Sequence, residues 1–156
     1  MKDTSSALAI LNNVIYATVA TTASDGSPWA APQFVAYNPK AKQLYWCASR
    51  NSQHAQNILA NHQVFIVVYD SSVGPGEGNG VYIRAQAQEV GDPEDLAHAM
   101  IQLIARHQGV PYWSLESIQA PNSPVAVFAA TIEQAWVNDD RQEHGQFVLY
   151  RKSIDL

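Results

Sequence analysis

The sequence predicts a mainly β chain, an antiparallel barrel with helices packed outside it. Three observations carry that expectation. Stretches rich in β-branched and aromatic residues recur at 14–22 (VIYATVATT), 43–49 (QLYWCAS) and 64–69 (VFIVVY). Tight turns, not a regular series of crossover helices, join successive stretches. Helical period is confined to a short start, a segment near 51–61 and a longer one after Asp92.

Each element has its own signal. Ser5 or Ser6 is placed to cap a short helix whose apolar positions Leu8, Ile10 and Leu11 run up to Asn12 and Asn13. Residues 14–22 follow as a strand and 24–28 (SDGSP) as its turn, because Asp-Gly supplies the backbone angles a hairpin needs. Residues 29–37 (WAAPQFVAY) are the return strand. Pro32 has no N–H to give a ladder, which implies an edge or a bulge there. After a turn at 38–40, residues 43–49 form a third strand. In 51–61 the period changes: Ala55, Ile58, Leu59 and His62 fall on one helical face, while Gln53, Gln56 and Asn57 point away. Residues 64–69 are almost wholly apolar and read as a strand buried on both faces. A glycine-bearing loop at 71–80 leads to 81–90, where Val81, Ile83, Ala85 and Ala87 alternate with polar residues. Asp92 caps, and Pro93 opens, a helix to about His107. Strands at 125–137 and 147–150 complete the chain.

The composition bounds what such a chain can do. Its 156 residues suit one domain spanning 1–156. Hydrophobic residues make up 47% and charged residues 15%, which excludes disorder and suggests surface covered by a second copy. A net charge of −5 without a cationic stripe excludes binding to nucleic acid through phosphates. The apolar runs are too short to cross a bilayer, and 1–13 lacks the pattern of a secretory signal, so a cytoplasmic protein with no membrane partner is expected. The lone Cys47 excludes a disulfide framework and a cysteine-rich zinc site. His62, His98 and His107 show no zinc-ligand spacing, there is no Gly-x-Ser-x-Gly elbow, and the 74–80 loop lacks the Lys-Ser/Thr ending of a P-loop. Trp29, Trp46, Trp113 and Trp136 read as core or interface residues.

The most informative stretch is 45–58 (YWCASRNSQHAQNI). A strand passes into a helix through small polar residues, leaving Ser49, Asn51 and Ser52 at the helix start. First-turn N–H groups have no partner inside a helix and carry its positive dipole end, so they suit either a simple cap or a phosphate. Arg50 and His54 are the segment's positive or potentially positive side chains.

Together with 16–32 and its Asp-Gly turn, 61–70 (NHQVFIVVYD) and 81–90 (VYIRAQAQEV), this stretch resembles the pyridoxamine 5′-phosphate oxidase-like, FMN-binding split-barrel family over nearly the full chain. The resemblance implies a six-stranded antiparallel split barrel, a homodimer, and FMN in clefts at the subunit interface. It implies that Ser52, Gln53 and His54 take the place of the family's Ser-Arg-Lys phosphate grip, with Arg50 just upstream as a partial substitute. It further places Gln33, Phe34 and Val35 along the flavin ring, and Cys47, Ala48 and Ser49 at the ribityl chain or ring edge. Trp113 and Trp136 are candidate flavin walls from a partner subunit. A bound phosphate would draw His54 toward its imidazolium form, and affinity would then weaken as pH rises. No catalytic residue is named, because a flavin carries the hydride chemistry itself. A flavin-dependent oxidoreductase of unassigned substrate is the leading expectation. A non-catalytic flavin or haem module, or a dimeric barrel that has lost its cofactor, are the alternatives, the last supported by Gln53 and His54.

Overall fold

The first hairpin shows how local chemistry starts the barrel. Gly26 takes φ +85°, a left-handed angle that glycine adopts without penalty. Asp25 Oδ1 accepts from the amide of Ser27 at 3.0 Å and from its hydroxyl at 2.6 Å, which fixes the turn. β1 (Tyr16–Thr22) and β2 (Pro28–Phe34) run antiparallel from it in unbroken register, Tyr16 opposite Phe34 and Thr22 opposite Pro28. The computed structural model describes residues 2–74, 78–107 and 113–156. The centre of the glycine loop, 75–77, lies outside the described residues.

The remaining elements are α1 (Lys2–Asn13), β3 (Ala36–Asn38), β4 (Gln43–Ser49), α2 (Gln53–Ala60), β5 (Gln63–Tyr69), β6 (Gly80–Glu89), α3 (Pro93–Arg106), α4 (Leu115–Gln119), β7 (Val125–Glu143) and β8 (Gln146–Ile154). The eight strands make one antiparallel sheet in the order β2-β1-β5-β6-β7-β4-β3, with β8 added on β7. β2 and β3 are one strand interrupted at Val35, whose amide still donates to Ile15 O at 2.9 Å. One residue later the pairing switches, and Ala36 faces Tyr45 of β4. The two ends of the strand order are therefore the same stretch of chain, and the sheet closes into a ring of six. This is the expected six-stranded barrel, with β8 as an extra strand outside the ring. Past the switch, β2 pairs with β1 alone and the end of β4 with β7 alone. The ring is split there.

Alternation fills the interior. Val19, Val35, Leu44, Trp46, Ile66, Ile83 and Phe128 are 0–2% exposed, and Trp46 stacks on Phe128 with centroids 5.9 Å apart. Each such side chain contributes about 1.5–3 kcal/mol when fully buried. α1 begins at Lys2, so Ser5 and Ser6 lie inside the helix and do not cap it. The tertiary reason is that Ala7 and Leu11, one turn apart, both bury against the barrel core. α3 follows expectation: Asp92 Oδ1 accepts from the amides of Glu94 and Asp95, and Pro93 opens the helix. Its face of Leu96, Ala99, Met100 and Leu103 covers Ala36, Tyr45, Val127 and Ala129 on the outside of the sheet.

Three further expectations are corrected. β5 is not buried on both faces: Val64, Ile66 and Val68 are buried, but Phe65 is 40% and Tyr69 53% exposed. α2 turns a different face inward, burying His54, Ala55, Asn57 and Ile58 and leaving Leu59 exposed. Asn57 is drawn in because its amide donates to Thr21 Oγ1 at 2.9 Å, a buried polar pair that periodicity cannot anticipate. The last strands are longer than expected and form a hairpin through His144-Gly145, both with positive φ. α4 was not foreseen; a Ser114–Ser117 capping box starts it. No helix among the described residues is long and apolar enough to cross a membrane.

Candidate functional site

The split between β2 and β4 opens a cleft of about 580 Å³. Ile15 and Tyr16 line it from the start of β1, Pro32, Gln33 and Phe34 from the end of β2, and Cys47, Ala48 and Ser49 from the end of β4. Val125 closes one side; His107, the C-cap of α3, and Trp113 close another. A larger hollow of about 730 Å³ lies between the β3–β4 turn and α3, lined in part by Lys40, Asp92, Asp95 and His98. That hollow gathers none of the residues expected from the sequence to hold a flavin. The cleft gathers Gln33, Phe34, Cys47, Ala48 and Ser49, so the chemistry is assigned to it despite its smaller size.

Its walls are aromatic. Phe34 meets Tyr16 edge-on at 6.2 Å and His107 at 5.5 Å, and His107 meets Trp113 at 5.9 Å with planes 84° apart. Such edge-to-face chains hold each ring in place while leaving ring faces available to a planar ligand. Cys47, Phe34 and Trp113 pack against one buried cluster beneath α3, and burial pushes the Cys47 thiol up to about 12. It is therefore a neutral thiol at physiological pH and supplies no nucleophile.

At Ser49 the cleft lining reaches the last residue of β4, and the turn into α2 follows it in the chain. Ser52 is the N-cap, yet its side chain makes no cap hydrogen bond; its hydroxyl donates to Ser49 O at 2.7 Å. The hydroxyl of Ser49 accepts from the amide of Asn51 at 3.3 Å. A helix start not satisfied by its own cap is suited to an anion. No lysine or arginine is among the described lining residues of the cleft. A phosphate here would meet hydroxyls and backbone N–H groups, which are competent neutral donors. A phosphorylated ligand held at this turn would therefore rely on neutral donors, Ser49 and the backbone N–H groups of the α2 start. Among the described residues, no cluster of His, Cys, Asp and Glu is placed to hold a metal ion.

The other residues expected at the site lie elsewhere. Val35 is 2% exposed in the barrel core with its amide bonded to Ile15, so its side chain is a packing residue. Arg50 is turned away from the cleft: its guanidinium bonds Glu89 at 2.7 Å and the carbonyl of Val125 at 3.1 Å. Its charge is already compensated. Gln53 bonds along its own helix, Nε2 to Asn57 Oδ1 at 2.8 Å. His54 is 6% exposed, its Nε2 is buried without a partner, and burial holds its pKa below the ordinary 6.5. Desolvation thus favours the neutral ring, against the imidazolium expected beside a phosphate. Residues not placed in the site from sequence are Ile15, Tyr16, Pro32, His107 and Val125. Trp113 was expected from a partner subunit and here comes from the same chain. Trp136, the other expected wall, stacks on Phe65 across the outer face of the sheet, centroids 6.3 Å apart.

A ring of six strands, split between β2 and β4 with an aromatic cleft in the gap, defines a split-barrel protein. The family model for pyridoxamine 5′-phosphate oxidase matches residues 4–139. The chain belongs to that family. None of the curated proteins matches it in sequence. Among solved structures it is similar to a protein of Bacteroides thetaiotaomicron described provisionally as a 5-nitroimidazole antibiotic resistance protein, with 15% identity, 88% of this chain and 84% of that one covered, and a TM-score of 0.72. It is also similar to the haem storage protein HutZ of Vibrio cholerae, at 17% identity over 83% of this chain and 90% of that one, TM-score 0.68. A FAD-binding protein of Mesorhizobium loti matches at 21% identity over 83% and 89%, TM-score 0.61. At these identities the likenesses establish the fold alone.

Proposed function

We propose that the cleft binds FMN and that the protein is a flavin-dependent oxidoreductase acting on a small molecule. The observation that carries this reading is the meeting of Gln33, Phe34, Cys47, Ala48 and Ser49 in one aromatic-walled gap beside the uncapped start of α2. Bound there, a flavin supplies a ring that accepts or gives a hydride. Phe34, Tyr16 and Trp113 orient the ring and exclude water from it. Cys47, as a neutral thiol, adds no charge beside it, and Ser49 with the α2 N–H groups holds the anionic tail. Membership of the pyridoxamine 5′-phosphate oxidase family and likeness to a FAD-binding protein support the reading.

We also propose that the protein works as a homodimer. The outer face of β1 and β5 leaves Tyr16, Phe65 and Tyr69 at 57%, 40% and 53% exposure, an apolar patch suited to a second copy and bordered by the polar Arg84 and Gln86 of β6. A cytoplasmic setting suits such a protein.

One observation favours a second reading. His107 places an imidazole in the cleft lining, and the neighbour HutZ is a haem storage protein. In that reading His107 would be the residue that helps hold the haem, supplying an imidazole to it. Titration of the purified protein separates the cases. Quenching of flavin fluorescence on adding FMN, with bleaching by NADH or NADPH and reoxidation in air, is the expected outcome. A Soret band with haem and no response to FMN favours the second reading. A colourless protein indifferent to both is a barrel that has lost its cofactor.

A further inference from the structure

We infer that Arg50 and Glu89 form a clamp that positions the polar wall of the cleft, and that Arg50 does not itself hold the ligand's phosphate; the inference rests on the flavin reading above. Arg50 directly follows Ser49, a lining residue, yet its side chain leaves the cleft. It lies with Glu89 in a separate hollow that also contains Ser123. Nη2 bonds Glu89 Oε1 at 2.7 Å, and Nε reaches both carboxylate oxygens at 3.3 Å. Nη1 donates to the carbonyl of Val125 at 3.1 Å and to that of Ser123. The backbone adds two links: Arg50 N–H donates to Pro124 O at 2.9 Å, and Gln56 Nε2 donates to Arg50 O at 2.6 Å.

One residue therefore ties together the end of β4, the end of β6, the loop before β7 and the first part of α2. The lining residues Ser49 and Val125, directly opposite each other in the β4–β7 register, are held from behind by it. The planar fork of arginine is what allows a carboxylate and two carbonyls to be met at once; a lysine ammonium lacks that geometry. A phosphate seeking this guanidinium would have to displace Glu89 and break the clamp.

The test compares FMN with riboflavin, which lacks the phosphate, in the full-length protein. Affinities come from flavin fluorescence quenching, and the visible absorption of the bound ring reports its surroundings. Arg50→Gln is expected to weaken both flavins by the same factor, about tenfold, the scale of one lost charge-assisted hydrogen bond. The bound-ring spectrum shifts with it, and Arg50→Lys does not restore either. Glu89→Gln keeps the shape of the side chain and folds with the least disturbance; it is expected to weaken both flavins without changing their ratio. If Arg50→Gln costs FMN about tenfold more than riboflavin, Arg50 is a phosphate ligand and the inference is overturned. It is equally overturned if Glu89→Gln tightens FMN relative to riboflavin, or if affinities and spectrum ignore all three substitutions. Failure of the wild-type protein to quench either flavin defeats the flavin reading and this inference together.

Discussion

The two halves of the sheet's outer surface differ in who covers them. Over β3, β4 and β7, the chain supplies its own roof: Leu96, Ala99, Met100 and Leu103 of α3 seal Ala36, Tyr45, Val127 and Ala129. On the outer face of β5, Phe65, which stacks on Trp136, and Tyr69 stand in the open. The strands obey the same alternation in both halves. What differs is the chemistry of the outward positions and the source of their cover. The cleft sits on the seam, with Cys47 from the roofed half, Tyr16 from the bare one and Phe34 from the end of β2 between them. A ligand site on such a seam is shaped partly by the chain and partly by whatever covers the bare half.

The largest effect is expected in the roofed half. Leu103 is fully buried, and Leu103→Ala should cost about 3 kcal/mol of stability, measured as a lower denaturant midpoint. In the bare half, Phe65→Glu should leave the protomer folded but weaken self-association by about 2 kcal/mol, roughly thirtyfold. Sedimentation equilibrium reads it directly; an unchanged dimer would place the interface elsewhere. A smaller loss is expected where α2 seals the barrel. Asn57→Ala strands the buried Thr21 hydroxyl and should cost about 1.5 kcal/mol, which Thr21→Val in the same chain partly restores.

The smallest effect is a pH dependence within α2. The folded pKa of His54 lies below its ordinary 6.5, so the unfolded chain binds the proton first. The stability this neutral ring allows is present above about pH 6.5 and is lost as pH falls through the window down to the folded value. His54→Leu should flatten that part of the stability profile. FMN affinity, in contrast, should not rise on acidification through His54.

The sequence displays its strands and turns because period and turn chemistry are local. Asp25-Gly26, Asp92-Pro93 and the alternation of 81–89 each act within a few residues. The outer exposure of β5 was hidden because an apolar strand reads the same whether its second face meets a helix or a partner. Half of the candidate site was legible, since strand ends adjoining a split are continuous stretches of chain. His107 and Trp113 were not, because they arrive from beyond α3 by tertiary packing and leave no local pattern. Arg50 and His54 lie elsewhere than spacing suggests for a shared reason: spacing locates a side chain along the helix start but does not say that Glu89 waits behind it or that the barrel buries it.

Pro32 has one more effect on this architecture. The amide of Val35 points at β1, so by alternation the amides of Phe34 and Ala30, and the missing one of Pro32, point into the gap. An intruding extended peptide would find the central rung of its ladder absent, and so would a neighbouring molecule's edge during folding. The edge of β2 that faces the gap thus offers an incoming strand a ladder broken at its middle.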